Sequence, residues 1–145
     1  MITLGWREWL ELPELGITAV RAKVDTGARS SSLHVESQQT FERDGAEWVR
    51  FELDTGRYRA PLAFAEAPVL ERRKVTDSGG HSTERIFIRT RMRLAGRDWP
   101  AEVNLAPRRN MLFPMLLGRT ALAGRFVVDP SASFLLGEPP PDTDA

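Results

Sequence analysis

Strict alternation of apolar and polar residues is the feature that most restricts the fold of this chain. Residues 85–94 give the clearest case, because one set of alternate positions is largely aliphatic while the other carries Arg85, Phe87, Arg89, Arg91 and Arg93. A period of two places successive side chains on opposite faces of a β-strand. No long stretch repeats with a helical period, so the sequence predicts an all-β protein.

The same alternation predicts most of the remaining elements. We expect strands at residues 6–12, Ile17–Val24, 33–35, 48–53, 58–64, 99–105, 126–129 and 134–136. Residues 72–81 are typical of a hairpin with a glycine tip at Ser78, Gly79 and Gly80. One short helix is predicted at residues 120–123, with Thr120 as its cap. Residues 1–136 then form one domain, and the Pro-rich acidic stretch 137–145 is predicted to be a disordered tail.

Composition excludes several classes of function. A chain of 145 residues that is 41% hydrophobic can bury a real core. Its 20 Lys and Arg balance 20 Asp and Glu, so we expect no nucleic-acid partner and no membrane partner drawn by net charge. No cysteine is present to form a disulfide or a thiolate metal site. The chain starts without a signal-peptide pattern and has no apolar run near the ~20 residues of a membrane helix, so we expect a cytoplasmic protein.

An Asp-Thr-Gly-Ala motif follows the predicted strand Ile17–Val24. Gly27 permits the chain to reverse, and the hydroxyls of Thr26 and Ser30 can hold the Asp25 carboxylate in one orientation. An Asp presented in this way by a rigid strand can act as a catalytic carboxylate. A second motif, two apolar residues followed by Gly118 and Arg119, lies far along the chain.

Together the two motifs resemble the retropepsin-like aspartic peptidases, whose signature is a strand followed by Asp-Thr-Gly-Ala. The longer string through Leu33-His34 is most similar to the bacterial branch often labelled ATP-dependent zinc protease, whose members accompany ATP-grasp glutamate ligases. The resemblance spans residues 5–136. It implies a single closed-barrel lobe with a short helix near its C-terminal end. It also implies site residues, namely catalytic Asp25, Thr26, Gly27 and Ala28, supporting Leu117, Gly118 and Arg119, and substrate-binding Ser78, Gly79, Gly80 and Arg85 on a flap.

Aspartic peptidases need two carboxylates, one that takes a proton from water and one that donates a proton to the scissile carbonyl. The motif supplies one such Asp per chain, and the resemblance implies that a homodimer supplies the second across a two-fold axis. A second Asp-Thr-Gly at residues 54–56 lacks the following Ala and hydroxyl run, so we interpret it as a solvent-exposed hairpin turn. Viral members carry Asp at the position of Arg29, so Arg119 needs a different partner here.

The Arg-rich face of residues 85–93 is compatible with a solvated strand face or with a groove for an acidic peptide. The groove interpretation adds Arg72 and Arg73, and the ligase association suggests an oligoglutamate tail as the substrate. A catalytically silent peptide-binding module of the same fold is the alternative, and a zinc metallopeptidase is a third interpretation. Two isolated histidines, His34 and His81, with no metal or ATP motif lead us to expect no cofactor. We interpret His34 as a hydrogen-bonded structural residue and His81 as a surface or flap residue.

Overall fold

A computed structural model describes residues 1–77, 79–109 and 111–139 of the chain. Strands dominate these residues, as predicted, and the helices are one turn of 3₁₀ helix, Pro13–Leu15, and one short α-helix, α1, Arg119–Leu122. The strands are β1 (Ile2–Leu4), β2 (Arg7–Leu12), β3 (Ile17–Val24), β4 (Ser31–Val35), β5 (Ser37–Arg43), β6 (Ala46–Leu53), β7 (Ala63–Pro68), β8 (Glu71–Thr76), β9 (Ser82–Leu94), β10 (Arg97–Pro107), β11 (Met115–Leu117) and β12 (Phe126–Val128). Within the described ranges, α1 and the 3₁₀ turn are both too short to cross a bilayer.

Six of these strands close into a barrel in the order β9, β10, β4, β11, β3, β2 and back to β9. Strands β9 and β10 form a long antiparallel hairpin, and β10 then runs parallel to β4. Strand β11 lies between β4 and β3, while the Glu11–Arg93 pair joins β2 to β9 and closes the ring. Closure leaves the barrel strands without open edges. The predicted all-β closed barrel is confirmed.

The barrel core is filled by the alternate positions that are apolar in the sequence. Ile88, Met92 and Leu94 of β9 point inward, and they are 0–4% exposed. The Arg positions between them point outward, as the alternation predicted. Burying side chains of this size contributes about 1.5–3 kcal/mol each, so the inward stripe dominates the stability of the barrel.

A separate three-stranded sheet, β5–β6–β7, packs Val49, Phe51 and Leu53 against the barrel. The strand predicted at residues 58–64 is wrong, because the chain remains a loop until Ala63 begins β7. Arg59 has φ 56°, a left-handed conformation that a strand does not contain. The loop is held to the barrel instead, since the Thr55 carbonyl accepts a 2.9 Å hydrogen bond from the Arg21 backbone N–H.

The strand predicted at residues 134–136 is also wrong. Phe134 has φ 51° and its N–H donates to the Arg7 carbonyl at 2.9 Å, so this segment lies along β2 as an irregular strap. The Glu8 carboxylate holds the strap by accepting the N–H groups of Leu135 (3.0 Å) and Leu136 (3.3 Å). Of the predicted tail, residues 140–145 lie outside the described residues.

Candidate active site

Asp25 lies at the end of β3, where two neighbouring strands fix the backbone. Its N–H donates to the Leu117 carbonyl of β11 at 2.9 Å, and its own carbonyl accepts the Ala28 N–H at 3.3 Å. The Gly27 N–H donates to Asp25 Oδ1 at 2.9 Å. One carboxylate oxygen is therefore fixed by the loop itself, which leaves the other oxygen for a water molecule or a second carboxylate.

The roles predicted for the hydroxyl residues of this loop are corrected by the geometry. The backbone N–H of Gly27, and not a hydroxyl of Thr26 or Ser30, orients Asp25 within the described structure. Gly27 lies in the turn that the Asp25 carbonyl and the Ala28 N–H close, but its φ is outside the left-handed region, so the turn itself does not require glycine. A Cβ at this position would lie 3.2 Å from Asp25 Oδ1, so glycine leaves room for the carboxylate beside the N–H that binds it.

The segment Leu117-Gly118-Arg119 packs directly against the Asp25 loop, as predicted. A Cβ on Gly118 would lie 2.5 Å from the Ser30 carbonyl oxygen, a distance that only glycine avoids. The Gly118 N–H donates to Ser31 Oγ at 3.0 Å, and the Arg119 N–H donates to the Ala28 carbonyl at 2.7 Å. These bonds hold the Asp25 loop from the side opposite β2.

Arg119 and Thr120 complete the support of the loop. The partner of Arg119 is the Thr26 carbonyl, which accepts from Nη1 at 3.4 Å, so a backbone oxygen replaces the Asp that viral members carry. Thr120 is not the helix cap, since Gly118 is the N-cap residue. The Thr120 hydroxyl donates instead to the Arg29 carbonyl at 3.0 Å, which ties α1 to the loop.

Asn104 is a site residue that the sequence analysis missed. It is fully buried on β10, and its Oδ1 accepts hydrogen bonds from Ser32 Oγ at 3.0 Å and from Arg85 Nη1 at 3.1 Å. Its Nδ2 donates to the Ser31 carbonyl at 3.0 Å. One amide therefore joins the predicted flap strand β9 to the segment that follows the Asp25 loop. Only its polarity within an otherwise apolar run of β10 distinguished it in the sequence.

Replacing Asn104 with Leu is expected to lower the free energy of unfolding by about 3 kcal/mol, because the buried Ser31 carbonyl, the Ser32 hydroxyl and the Arg85 guanidinium all lose a partner. Thermal unfolding measures this as a fall in Tm of about 10 °C. Thr90→Val is the matched control, since the buried Thr90 hydroxyl has no hydrogen-bond partner among the described residues. That variant should keep or raise the Tm. Equal effects of the two substitutions would contradict the network.

The predicted flap is the hairpin of β8 and β9, paired from Glu71–Phe87 to Thr76–Ser82. At its tip, Asp77 Oδ1 accepts the N–H groups of Gly79 and His81 at 2.9 Å each. These bonds, that of His81 first, lower the pKa of Asp77. Gly80 has φ 82°, so glycine is required in this turn. Ser78 lies outside the described residues, and the lid role of the hairpin stays a prediction.

Most of the arginines assigned to an acidic groove pair with carboxylates of the chain, and their role in substrate binding stays a prediction. Arg72 binds Glu47 at 2.6 Å, Arg73 binds Glu71 and Glu102, and Arg91 binds Asp98. Arg85 differs, because its described partners are the Asn104 amide and the Thr83 hydroxyl and not a carboxylate. Burial lowers the pKa of the Arg85 guanidinium from its ordinary value.

His34 and His81 occupy the positions predicted for them. His34 Nδ1 lies 2.7 Å from the Phe113 carbonyl oxygen, and burial lowers the pKa of the imidazole. Because a carbonyl oxygen can only accept, the Nδ1–H of His34 donates to Phe113 and anchors the segment before β11. His81 is exposed at the hairpin tip beside Asp77. Within the part of the chain that the structure describes, no three His, Asp or Glu side chains form a group able to hold a metal ion.

Asp54 differs from Asp25 although both begin an Asp-Thr-Gly sequence. The Gly56 N–H donates to Asp54 Oδ1 at 2.8 Å, the same local turn. Arg108 lies 3.2 Å from the other oxygen, and the Gly56 bond and this cation lower the pKa of Asp54. Thr55 is buried at 7% exposure, so the interpretation as a solvent-exposed turn is corrected to a loop held against the barrel.

A closed six-stranded barrel that presents Asp-Thr-Gly-Ala at a strand end, braced by a Leu-Gly-Arg segment and a short helix, defines the retropepsin-like class of fold. A family model described as retropepsin-like aspartic endopeptidase RimB matches residues 3–139. The chain belongs to this RimB-like family.

Relatives with assigned names are larger proteins. The chain is 43% identical over 136 residues to a probable alpha-L-glutamate ligase of Desulfotalea psychrophila and 42% identical over 138 residues to one of Parasynechococcus marenigrum. These matches cover 93% and 94% of the chain but only 29% and 30% of the relatives. The chain therefore spans less than a third of the length of these relatives.

A solved structure shares the architecture. A Legionella pneumophila protein of unknown function superposes with a TM-score of 0.76 and 27% sequence identity, over 92% of this chain and 97% of that one. The two chains thus share the same overall fold over most of their lengths.

Proposed function

We propose that the chain is an aspartic-type peptidase whose two catalytic carboxylates are Asp25 of one copy and Asp25 of a second copy. The observation that carries this proposal is the Asp25 loop, where a rigid strand end and the Gly27 N–H orient a carboxylate that no described cation neutralises. A free carboxylate in this geometry can take a proton from water. Asp54 is a poor substitute, because Arg108 is paired with it.

The dimer provides the second group that the chemistry needs. In a two-fold dimer each residue on the axis faces its own copy, so two Asp25 carboxylates share the site. Like charges at short distance cannot both ionise easily, so one carboxylate activates water and the protonated one donates to the scissile carbonyl. The peptide bond is hydrolysed without a covalent intermediate or a metal.

Glutamate-rich peptide tails are the substrate that we propose. The support is that the chain is similar to one part of probable alpha-L-glutamate ligases, proteins whose names assign them to glutamate addition. A hydrolase that shortens what such a ligase lengthens would act on the same acidic chains. Arg forks bind carboxylates with paired hydrogen bonds, and Arg29 follows Asp25 in the same loop, while Arg119 contacts the Thr26 carbonyl.

A catalytically silent peptide-binding module is the second candidate. It is favoured by the names of the relatives, which describe ligases and not peptidases. In that case the barrel would present acidic chains to a ligase active site without cleaving them. Cleavage by the wild type that is lost on Asp25→Asn would favour the peptidase, and binding without cleavage by the wild type would favour the silent module.

Specific peptidase activity is expected to fall on dilution, because each chain brings half of the dyad and dimers dissociate by mass action. The measurement is the cleavage rate per chain of a fluorogenic oligoglutamate peptide across a range of protein concentrations. A tandem fusion of two copies joined by a flexible linker is the control, since its two halves should keep a constant specific activity. A wild-type rate strictly proportional to concentration, from a protein that sediments as a monomer, would contradict the shared dyad.

A further inference from the structure

A cavity of about 240 Å³ lies beside the Asp25 loop. Arg29 and Ser30 of the loop form one wall, Phe87 and Trp99 of the hairpin β9–β10 form another, and Thr120 and Arg125 at α1 form the third. A water molecule occupies about 30 Å³ in the liquid, so the cavity has room for about eight waters or for a short side chain with part of its hydration shell.

Some of the charged side chains that line the cavity are paired with an opposite charge and others are not. Arg73 and Glu102 both line it, but they bind each other at 2.7 Å and Arg73 also binds Glu71. Arg29 and Arg125 have no carboxylate partner within residues 1–77, 79–109 and 111–139. The Arg125 guanidinium lies 5.3 Å from the Trp99 ring centroid, in a cation–π contact. The cluster of Arg73 with Glu71 and Glu102 has a formal charge of −1, so Arg29 and Arg125 together leave a formal excess of one positive charge at the cavity.

The cavity is organised before any ligand binds. The Arg29 carbonyl accepts the Thr120 N–H at 3.1 Å and the Thr120 hydroxyl at 3.0 Å, so the backbone that carries the first cation is fixed. Phe87 and Trp99 are 2% and 5% exposed, so the aromatic walls are rigid. Arg125 is half-buried beside Trp99, whereas Arg29 is exposed, so reduced solvent screening strengthens the attraction of Arg125 for an anion more than that of Arg29.

We propose that this cavity is a subsite for a side-chain carboxylate of the peptide substrate, bound by Arg29 and Arg125. The inference rests on the proposed peptidase function and adds the location of acidic selectivity. Arg29 lies four positions after Asp25 in the chain, so their Cα atoms are at most ~14 Å apart. An extended peptide advances ~3.3 Å per residue, which places the bound carboxylate within a few residues of the scissile bond. Phosphate shares the chemistry of an anion but would have no reason to lie beside the catalytic loop.

The test uses the full chain carrying Asp25→Asn, which removes cleavage from the measurement. Fluorescein-labelled hexaglutamate is titrated by anisotropy, with hexaglutamine as the neutral probe and inorganic phosphate at matched ionic strength as a competitor. Arg29→Gln and Arg125→Gln should each raise the Kd for hexaglutamate about tenfold, the loss of one charge-assisted contact. Arg97→Gln, which removes the same charge from the exposed first residue of β10, should leave the Kd within about twofold.

The outcomes separate the subsite from the function on which it rests. Loss of hexaglutamate binding in both variants supports the subsite. If the wild type also cleaves nothing, the peptidase proposal is contradicted and the subsite still stands. Cleavage by the wild type, together with an unchanged Kd for hexaglutamate in both variants, contradicts the subsite and leaves the peptidase proposal standing. Displacement of the probe by phosphate as effective as by unlabelled hexaglutamate would overturn the carboxylate assignment.

Two checks exclude indirect effects. Sedimentation velocity measures dimerisation. If Arg29→Gln dissociates the dimer while Arg125→Gln binds hexaglutamate normally, Arg29 belongs to the dimer interface and the subsite is overturned. Arg29→Lys and Arg125→Lys keep the charge without the forked geometry and should bind with an intermediate Kd. Their melting temperatures should match that of the parent, so that weaker binding cannot come from unfolding.

Discussion

We expect that replacing Asp25 with Asn abolishes peptide hydrolysis while the protein stays folded. Asn keeps the size of the side chain and its Oδ1 can still accept the Gly27 N–H at the observed 2.9 Å. It cannot take a proton from water, and general acid–base catalysis is typically worth ~10²–10⁴-fold. We expect at least that loss in kcat, with a Tm equal to that of the wild type or slightly above it, because two like charges no longer meet at the dimer axis.

Asp54→Asn is the matched control, since it makes the same change at the chain's second Asp-Thr-Gly. Its Oδ1 can keep the Gly56 N–H, and only the ion pair with Arg108 is lost. A partly exposed pair of this kind contributes about 0–1 kcal/mol to stability, so the variant should stay folded. Its activity should be almost unchanged, because Asp54 is not part of the proposed dyad. Full activity of Asp25→Asn would refute the aspartic mechanism.

The same assays separate the remaining functions. A chelator should leave the wild type active if the two carboxylates do the chemistry. Loss of activity with EDTA and its recovery with zinc would favour the metallopeptidase. A wild type that binds hexaglutamate and cleaves nothing would favour the silent module.

Glu8→Ala is expected to lower the free energy of unfolding by about 3–5 kcal/mol, because three backbone N–H groups lose their acceptor at about 1–3 kcal/mol each. Glu8 is fully buried, and its carboxylate accepts N–H groups from Gly5 (2.7 Å), Leu135 (3.0 Å) and Leu136 (3.3 Å). The substitution leaves these donors without an acceptor and releases the strap at residues 133–136 from β2. The Tm should fall by about 10–15 °C.

Two further variants test whether the carboxylate itself is responsible. Glu8→Gln keeps one acceptor oxygen but turns an amide donor toward the N–H groups, so it should lose part of the stability. Glu42→Ala, at an exposed position of β5, should change the free energy of unfolding by less than about 0.5 kcal/mol. Chemical denaturation measures all three, and a Glu8→Ala protein as stable as Glu42→Ala would show that the carboxylate does not hold the strap.

Most of the barrel could be predicted from the sequence because alternation is a local signal. Strand β3 has the predicted bounds, and β9 keeps its predicted inward and outward faces. The two failures share a cause. The loop before β7 and the strap at residues 133–136 are apolar enough to suggest strands, but their backbone groups bond to distant partners, the Arg21 N–H and the Glu8 carboxylate.

The candidate site divides in the same way. The Asp25 turn and its Gly118 support were recognisable because each depends on a short motif. The free charge of the arginine groove was overestimated, because Glu47 and Glu102, which pair with Arg72 and Arg73, lie on other strands. Charge counted along one strand face does not include cross-strand partners.

The sequence by itself determined most of the long barrel strands, which Asp is presented at a turn and which glycine must pack beside it. These properties depend on side-chain period and turn chemistry within a few residues. Only the tertiary structure decided that Asn104 bridges two strands, that Glu8 holds the strap and that Arg29 and Arg125 share a cavity. Each of these arrangements joins residues more than 70 positions apart, and only barrel closure and strand register bring such residues together.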